Sequence, residues 1–272
     1  MDRAVVVAAV QLSSQGEVAE NLAKVDARVA EAAERGAELV VLPENFAYFG
    51  DEAGKRAVAE DLSSADGPIA TRLAELARRH RVHLVAGGVP ERAVDDARPY
   101  NACVAFTPDG AIAAVYRKLH LFDVELGQGN TYRESASTTA GADPVVVELA
   151  GAKVGLSVCY DVRFPELYRA LSAQGAEILV VPAAFTLTTG KDHWHVLLRA
   201  RAIEAQAYVI AAAQWGKHPR GRATFGKSCV VDPWGEIVAQ ASEGEGVVIA
   251  RLDPAYLAHV RAILPALAHR RL

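Results

Sequence analysis

Residues 5–12 form a mostly apolar run of small and β-branched side chains, the pattern of a strand covered on both faces. Residues 18–35 then switch to a helical period, with Leu22, Val25 and Val29 on one face and Gly36 as the stop. The alternation recurs with a strand over 37–44, a helix over 68–80 and a strand over 82–89. Residues 101–107 and 111–117 predict a hairpin turning at Pro108-Asp109-Gly110. The stretch 119–143 is long and irregular, and loops of that length commonly carry function. A second hairpin joins 145–149 to 154–159 across Ala150-Gly151. Helix 164–174, strand 178–182, helix 194–206 and strand 208–214 follow. A third hairpin pairs 227–231 with 236–240 around Asp232-Pro233-Trp234-Gly235, and a strand at 247–252 and a helix at 254–267 complete the pattern.

Strands alternate with helices in both halves, and hairpins are inserted between them. No Pro/Gly/Ser-rich linker interrupts the chain, so residues 1–272 are expected to form a single domain with two mixed sheets inside and helices outside. Composition narrows the class. Of 272 residues, 51% are hydrophobic and 23% charged, as in ordinary globular proteins. A net charge of −4 gives no basic excess for nucleic acid or anionic membrane, which leaves a small molecule as the expected partner. No run approaches 18 apolar residues, and the N-terminus enters a strand without a signal-peptide pattern. Three sparse cysteines, Cys103, Cys159 and Cys229, give no disulfide framework and suit a reducing cytoplasm.

The candidate chemistry sits at strand ends. The run Gly155-Leu156-Ser157-Val158-Cys159 stops at a cysteine, and a helix-starting Arg163-Phe164-Pro165-Glu166 follows. A free cysteine is most often a small buried hydrophobe, and Cys103 and Cys229 are read that way. Cys159 differs because polar Tyr160-Asp161 follows at once, and a nearby helix start favours thiolate. Glu44 closes Val40-Val41-Leu42-Pro43 and is either a general base in an apolar setting or an exposed strand terminus. Lys118 ends a strand and opens the long loop; by itself it reads as a surface lysine.

Together these segments resemble the nitrilase superfamily of carbon–nitrogen hydrolases. Leu42-Pro43-Glu44 is similar to the family's glutamate motif, Tyr116-Arg117-Lys118-Leu119-His120-Leu121-Phe122-Asp123 to its lysine motif, and residues 155–166 to its cysteine motif. The resemblance implies a four-layer αββα sandwich with two mixed sheets face to face. It also implies a homodimer or higher homo-oligomer, and a cofactor-free, metal-free triad of Glu44, Lys118 and Cys159. A second glutamate supports the lysine in the family; Glu134 matches it and Glu125 competes. Phe185 to Gly190, His193-Trp194 and residues 231–235 resemble the Nit amidase branch. That resemblance implies hydrolysis of the terminal amide of a 2-oxo acid, with deaminated glutathione the first expected substrate and alpha-ketoglutaramate the second. Nitrile or N-carbamoyl amino acid hydrolysis and a non-catalytic scaffold are the rivals. It further implies that Arg163 holds the substrate carboxylate, that Phe185 and Thr189 line the pocket, and that the Tyr160 N–H assists the oxyanion.

Three other signals fail on context. Residues 221–228 satisfy a phosphate-loop pattern formally, yet a polar loop precedes them and a strand follows. Ser157 falls inside a strand and lacks the closing glycine of a serine elbow. His193 and His195 are two residues apart and share no helix face for a metal; His193 reads as a helix-start contact near the pocket and His195 as a surface residue.

Overall fold

The structure is a computed structural model that describes residues 1–63, 67–94, 98–127 and 131–271. The chain opens with β1 (Val5–Gln11), α1 (Val18–Glu34), β2 (Leu39–Leu42), α2 (Glu52–Ala57) and α3 (Pro68–His80). Next come β3 (His83–Glu91), β4 (Tyr100–Phe106), β5 (Ile112–Arg117) and the short pair β6 (Asp123–Glu125) and β7 (Thr131–Arg133). The second half carries β8 (Val146–Leu149), β9 (Ala152–Leu156), α4 (Pro165–Ala173), β10 (Ile178–Val180), α5 (Leu187–Ala205) and β11 (Tyr208–Ala211). It closes with β12 (Trp215–Lys217), β13 (Ala223–Phe225), β14 (Cys229–Val231), β15 (Ile237–Gln240), β16 (Gly246–Leu252), α6 (Pro254–Ile263) and α7 (Ala266–His269).

Two six-stranded sheets form, in the orders β16-β1-β2-β3-β4-β5 and β15-β14-β11-β10-β9-β8. Both are mixed in the same way. Parallel β1, β2 and β3 form the middle of one, parallel β9, β10 and β11 the middle of the other, and antiparallel strands flank each.

The period-two rule explains the layering. In β1, Val5, Val7 and Ala9 join the core shared with the second sheet, while Ala8 and Val10 face Val25, Val29, Leu73 and Leu76 of α1 and α3. Leu39 and Val41 of β2, and Cys103 and Ala105 of β4, point inward; Val40, Leu42, Val104 and Phe106 point to the helices. The second sheet is covered outside by Leu167, Tyr168 and Leu171 of α4 and by Trp194, Leu198 and Ala202 of α5. The expected αββα sandwich is therefore what the chain builds, each strand apolar on both faces because each sheet is covered on both.

Several boundaries differ from the sequence reading. Helix α5 begins at Leu187, not Trp194, because the Thr186 hydroxyl caps it by accepting from the Thr189 N–H, and Gly190 lets the first turn press onto Phe225. The polar Thr-Thr-Gly-Lys-Asp run had the composition of a loop. The expected C-terminal helix is split at Leu264-Pro265, where proline cannot continue it. The irregular 119–143 region contains the β6–β7 pair and a short 3-10 turn, Glu134–Ala136. Helix α2 and the β12–β13 hairpin had no periodic signal long enough to read. Residues 221–228 lie in that hairpin and the step into β14, with no helix after them, so they lack phosphate-loop geometry. His195 is half-buried against the Phe225 ring instead of exposed, because α5 packs on β13.

Close backbone approaches occur at Gly87 and Gly88 of β3. A Cβ on Gly87 would lie 2.1 Å from Pro182 Cβ across the sheet interface, and a Cβ on Gly88 would lie 2.4 Å from the Asn45 backbone nitrogen. Gly88 also has φ of +76°, and the β3–β4 register shifts between Ala86 and Val89. Only glycine meets both demands at 88. Gly88→Ala is expected to cost about 2–4 kcal/mol from the left-handed backbone and the backbone clash together. Urea unfolding checks this as a lowered midpoint at constant slope; a loss below about 0.5 kcal/mol is incompatible with the close approach.

Candidate active site

The side chains singled out in the sequence converge at the carboxyl ends of β2, β9 and the edge strand β5, on the side where open α/β sheets place ligands. Glu44 lies two residues beyond β2, Lys118 follows β5, and Cys159 lies three residues beyond β9. Cys159 is not on the strand itself. It opens a 3-10 turn, Cys159–Arg163, that hands the chain to α4 with Pro165 at the first helical position. Its φ is +48°, an uncommon backbone for a non-glycine residue, and Asn45 beside Glu44 is likewise at +58°. The turn is pinned by the Cys159 N–H donating to the Pro182 carbonyl at 2.8 Å.

Lys118 is 2% exposed and Glu44 4% exposed, so neither charge is tolerable without partners. Lys118 Nζ donates to Glu44 Oε1 at 3.0 Å and to Glu134 Oε2 at 2.8 Å. Glu44 Oε2 accepts from the Ala184 N–H at 3.0 Å, and Glu134 Oε2 accepts from the Phe122 N–H at 2.8 Å. Asn101 Nδ2 joins the two carboxylates, donating to Glu44 Oε1 at 2.9 Å and Glu134 Oε1 at 3.0 Å. Of the two glutamates weighed in the loop, the structure brings Glu134 to the lysine. Glu125 is exposed and pairs with Arg133.

Electrostatics follow from this packing. Burial opposes a charged Lys118, but the Glu134 and Glu44 carboxylates outweigh it and hold the ammonium well above its usual range. Burial also opposes ionised Glu134, yet Lys118, with Lys55 behind it, keeps that carboxyl well below the usual range. The Cys159 thiol is pushed well up, first by burial and then by the Glu44 charge, while Lys118 and the Ala184 N–H pull the other way. The resting cluster is thus a neutral thiol beside a carboxylate, with an ammonium between two carboxylates.

Asp161 was not singled out as a site residue, and it locks two motifs together. Fully buried, it accepts from Tyr116 Oη at 2.7 Å, Val158 N–H at 2.8 Å and His120 N–H at 3.1 Å, and lies 2.7 Å from His120 Nδ1. Tyr116 and His120 flank Lys118, while Val158 and Asp161 flank Cys159. One carboxylate therefore sets the lysine segment against the cysteine turn. Asn101 was missed as well; the visible signal was a polar residue opening the apolar run Ala102-Cys103-Val104-Ala105-Phe106.

Glu44, Lys118, Glu134 and Cys159 line one cavity of about 470 Å³, with Tyr160, Arg163, Phe185 and Thr189 in its wall. Arg163 Nη1 lies 3.2 Å from His193 Nδ1, and its guanidinium stands over the Phe185 ring at 5.1 Å. His193 is thus near the pocket, although it sits in the second turn of α5 and not at the helix start. Lys191 and Asp192 are exposed and outside the lining. Ser157 Oγ is occupied with the Val180 carbonyl and Tyr168 Oη. Among the described residues no group of three or more His, Cys, Asp or Glu side chains is placed to hold a metal ion, and no helix is long and apolar enough to cross a membrane.

The chain matches the carbon–nitrogen hydrolase family over residues 6–262. It is 47% identical over 266 residues to a deaminated glutathione amidase of Synechocystis sp., covering 97% of each chain. It is 37% identical over 252 residues to the omega-amidase NIT2 of Xenopus tropicalis, covering 93% of this chain and 90% of that one. The crystal structure of the C. elegans NitFhit protein superposes with a TM-score of 0.92 at 39% identity, over 99% of this chain and 65% of that longer protein.

The raised thiol pKa has a direct readout. A thiol titrating above its usual value loses about tenfold in thiolate for each pH unit below it. Alkylation of Cys159 by iodoacetamide is expected to climb steadily from pH 7 to 9 without levelling. Lys118→Met, which removes the cation pulling the value down, is expected to slow it throughout. Cys103 and Cys229 are fully buried, so Cys159→Ala serves as the blank. A plateau near pH 7 in the wild type contradicts this electrostatic picture.

Proposed function

From the premise that this chain belongs to the carbon–nitrogen hydrolase family, and is an amidase, we propose that it cleaves the terminal amide of a 2-oxo acid through a cysteine thioester, with deaminated glutathione as its substrate. The observation that carries this reading is a thiol, a carboxylate and an ammonium gathered at one cavity, with a full-length relative of that activity at 47% identity. Residues 1–272 act as one catalytic domain in this reading.

The Cys159 sulfur attacks the amide carbon as its proton passes to Glu44 Oε. The carbonyl oxygen gains the negative charge, which the Lys118 ammonium and the Tyr160 N–H stabilise; one such donor is worth on the order of 3 kcal/mol. As the carbon–nitrogen bond breaks, Glu44 returns the proton to the departing amine. Water then enters, Glu44 takes its proton, hydroxide oxygen adds to the thioester carbon, and the carbon–sulfur bond breaks to leave a carboxylic acid and the reprotonated thiol. Glu134 positions Lys118 throughout. Arg163 grips the carboxylate of the oxo acid, with Phe185 and Thr189 shaping the wall beside it.

Alpha-ketoglutaramate is the second reading, favoured by the 37% identity to an omega-amidase. A homodimer is also part of this proposal. It is supported by apolar side chains left outside on α5, with Val196 66% and Ile203 46% exposed. A cytoplasmic setting is supported by three unpaired cysteines.

Both oxo-acid amides can be assayed directly, the released dipeptide or ammonia telling them apart, with the acyl-enzyme trapped on Cys159 and weighed by mass spectrometry. Deaminated glutathione is expected to turn over. Cys159→Ala should abolish activity with folding intact, and Glu44→Gln should lower kcat by roughly 10²–10⁴-fold. An active Cys159→Ala enzyme, or turnover of nitriles alone, sinks the reading; carbon dioxide among the products points to a carbamoyl substrate. No turnover of any kind favours a scaffold.

A further inference from the structure

The wall of the active-site cavity contains a second guanidinium that the reaction leaves unused. Arg222 is half-buried, donates from Nη2 to the Gly50 carbonyl at 2.8 Å and stands 5.2 Å over the Phe49 ring. These partners are separate from those of Arg163, which sits by His193 and Phe185.

Most other cations of the lining have a polar partner or lie open to solvent. Lys118 has Glu44 and Glu134, Lys55 donates to Thr138 Oγ1 at 3.0 Å, Arg133 has Glu125, and Arg220 is exposed. Among the described residues Arg163 and Arg222 are the half-buried guanidiniums of this cavity with no carboxylate in ion-pair contact. Burial depresses the Arg222 pKa, the nearby Glu52 charge offsetting only part of it. A half-buried cation is costly until an anion pairs with it.

The loop that carries Arg222 is built to hold it in place. Its carbonyl accepts from the His218 N–H at 2.9 Å. His218 is itself buried, with Nδ1 at 2.8 Å from the Ser14 carbonyl and Nε2 at 2.7 Å from Thr224 Oγ1. Arg220 takes a left-handed φ of +63° to turn the chain between them. A pre-ordered guanidinium with free N–H groups is the geometry that recognises a carboxylate.

We propose that Arg222 is a specificity residue that binds a carboxylate on the leaving half of the substrate, so that the preferred substrate is a 2-oxo acid joined through its terminal amide to an amino acid or short peptide. This rests on the amidase reading above, and it assigns a residue to the choice between that reading's first substrate and its second. An amide that releases ammonia carries one carboxylate and leaves Arg222 without an anion. An amide that releases a peptide carries two, one for each guanidinium.

The test compares two substrates with the same five-carbon 2-oxo acyl group, one ending in glycylglycine and the other in methylamide. In the wild type kcat/KM should favour the dipeptide amide by roughly 10–100-fold, the worth of one charged hydrogen-bonding contact. Arg222→Gln should collapse that ratio mainly by raising KM for the dipeptide amide. Arg222→Lys keeps the charge without the fork and should lower the ratio severalfold; it carries the comparison alone if the glutamine variant misfolds. Wild-type turnover with an unchanged ratio in the variants overturns the role of Arg222 and leaves the amidase reading standing. Failure of the wild type to cleave either compound sinks both.

Discussion

The structure depends on one buried ammonium held between two carboxylates. Lys118 has almost no contact with water, and a lone charge there is not sustainable. Glu44 and Glu134 neutralise it and leave one negative charge in excess. That excess is spread over Asn101 Nδ2 and the N–H groups of Ala184 and Phe122. The donors and acceptors come from the ends of β2, β5 and β10, the start of β4 and the 3-10 turn after β7. No single sheet supplies all of them. The two-sheet sandwich therefore brings the Cys159 thiol and the Ala184 N–H up to charges already paired on one sheet, and burial first, with the Glu44 charge after it, keeps the thiol pKa raised.

Holding such a cluster requires backbone that ordinary strands do not provide. Cys159 and Asn45 take left-handed conformations, and Gly87 and Gly88 let the β3 backbone run against Pro182 and Asn45. Strain of this sort persists only where its surroundings over-determine it. Here the surroundings are hydrogen bonds from the Cys159 turn to Pro182 and to Asp161, which in turn holds both residues flanking Lys118 at a distance of two. Asp161 and Lys118 are both buried charges, but they serve different ends. Lys118 faces the cavity, while Asp161 faces away and fixes the register between the two loops that carry lysine and cysteine.

Much of this was legible in the sequence, for identifiable reasons. The double-covered strands announced themselves because their apolar runs are continuous, as at Val5 to Val10 and Leu39 to Leu42. Glu44 and Cys159 stood out because each ends such a run, whereas Lys118, by itself a surface lysine, was legible only through its resemblance to the family's lysine motif. What stayed hidden has no local pattern. Asn101 matters through Glu44 and Glu134, 57 and 33 residues away, and Asp161 through His120 and Tyr116, 41 and 45 residues away. The start of α5 depends on Thr186 as a cap and on Gly190 meeting Phe225, a contact formed only after folding. Arg222 carries no local signal, because the Phe49 ring and Gly50 carbonyl that half-bury it lie about 170 residues earlier in the chain.

The placement of the two guanidiniums also bears on the order of events. After the amine half has been cleaved, the acyl half remains bonded to sulfur, and water reaches the thioester only once the amine half has gone. A tight grip on the leaving half would therefore oppose the second step. Arg222 is half-exposed and already shares one N–H with the Gly50 carbonyl, so its hold on an anion is screened by solvent and reversible. Arg163 stands against Phe185 and Tyr160 in the same cavity as Cys159, where the proposed reaction keeps the acyl half through both steps. The two guanidiniums thus divide by position in the proposed reaction, Arg163 beside the half that stays and Arg222, with one N–H already given to Gly50, beside the half that leaves.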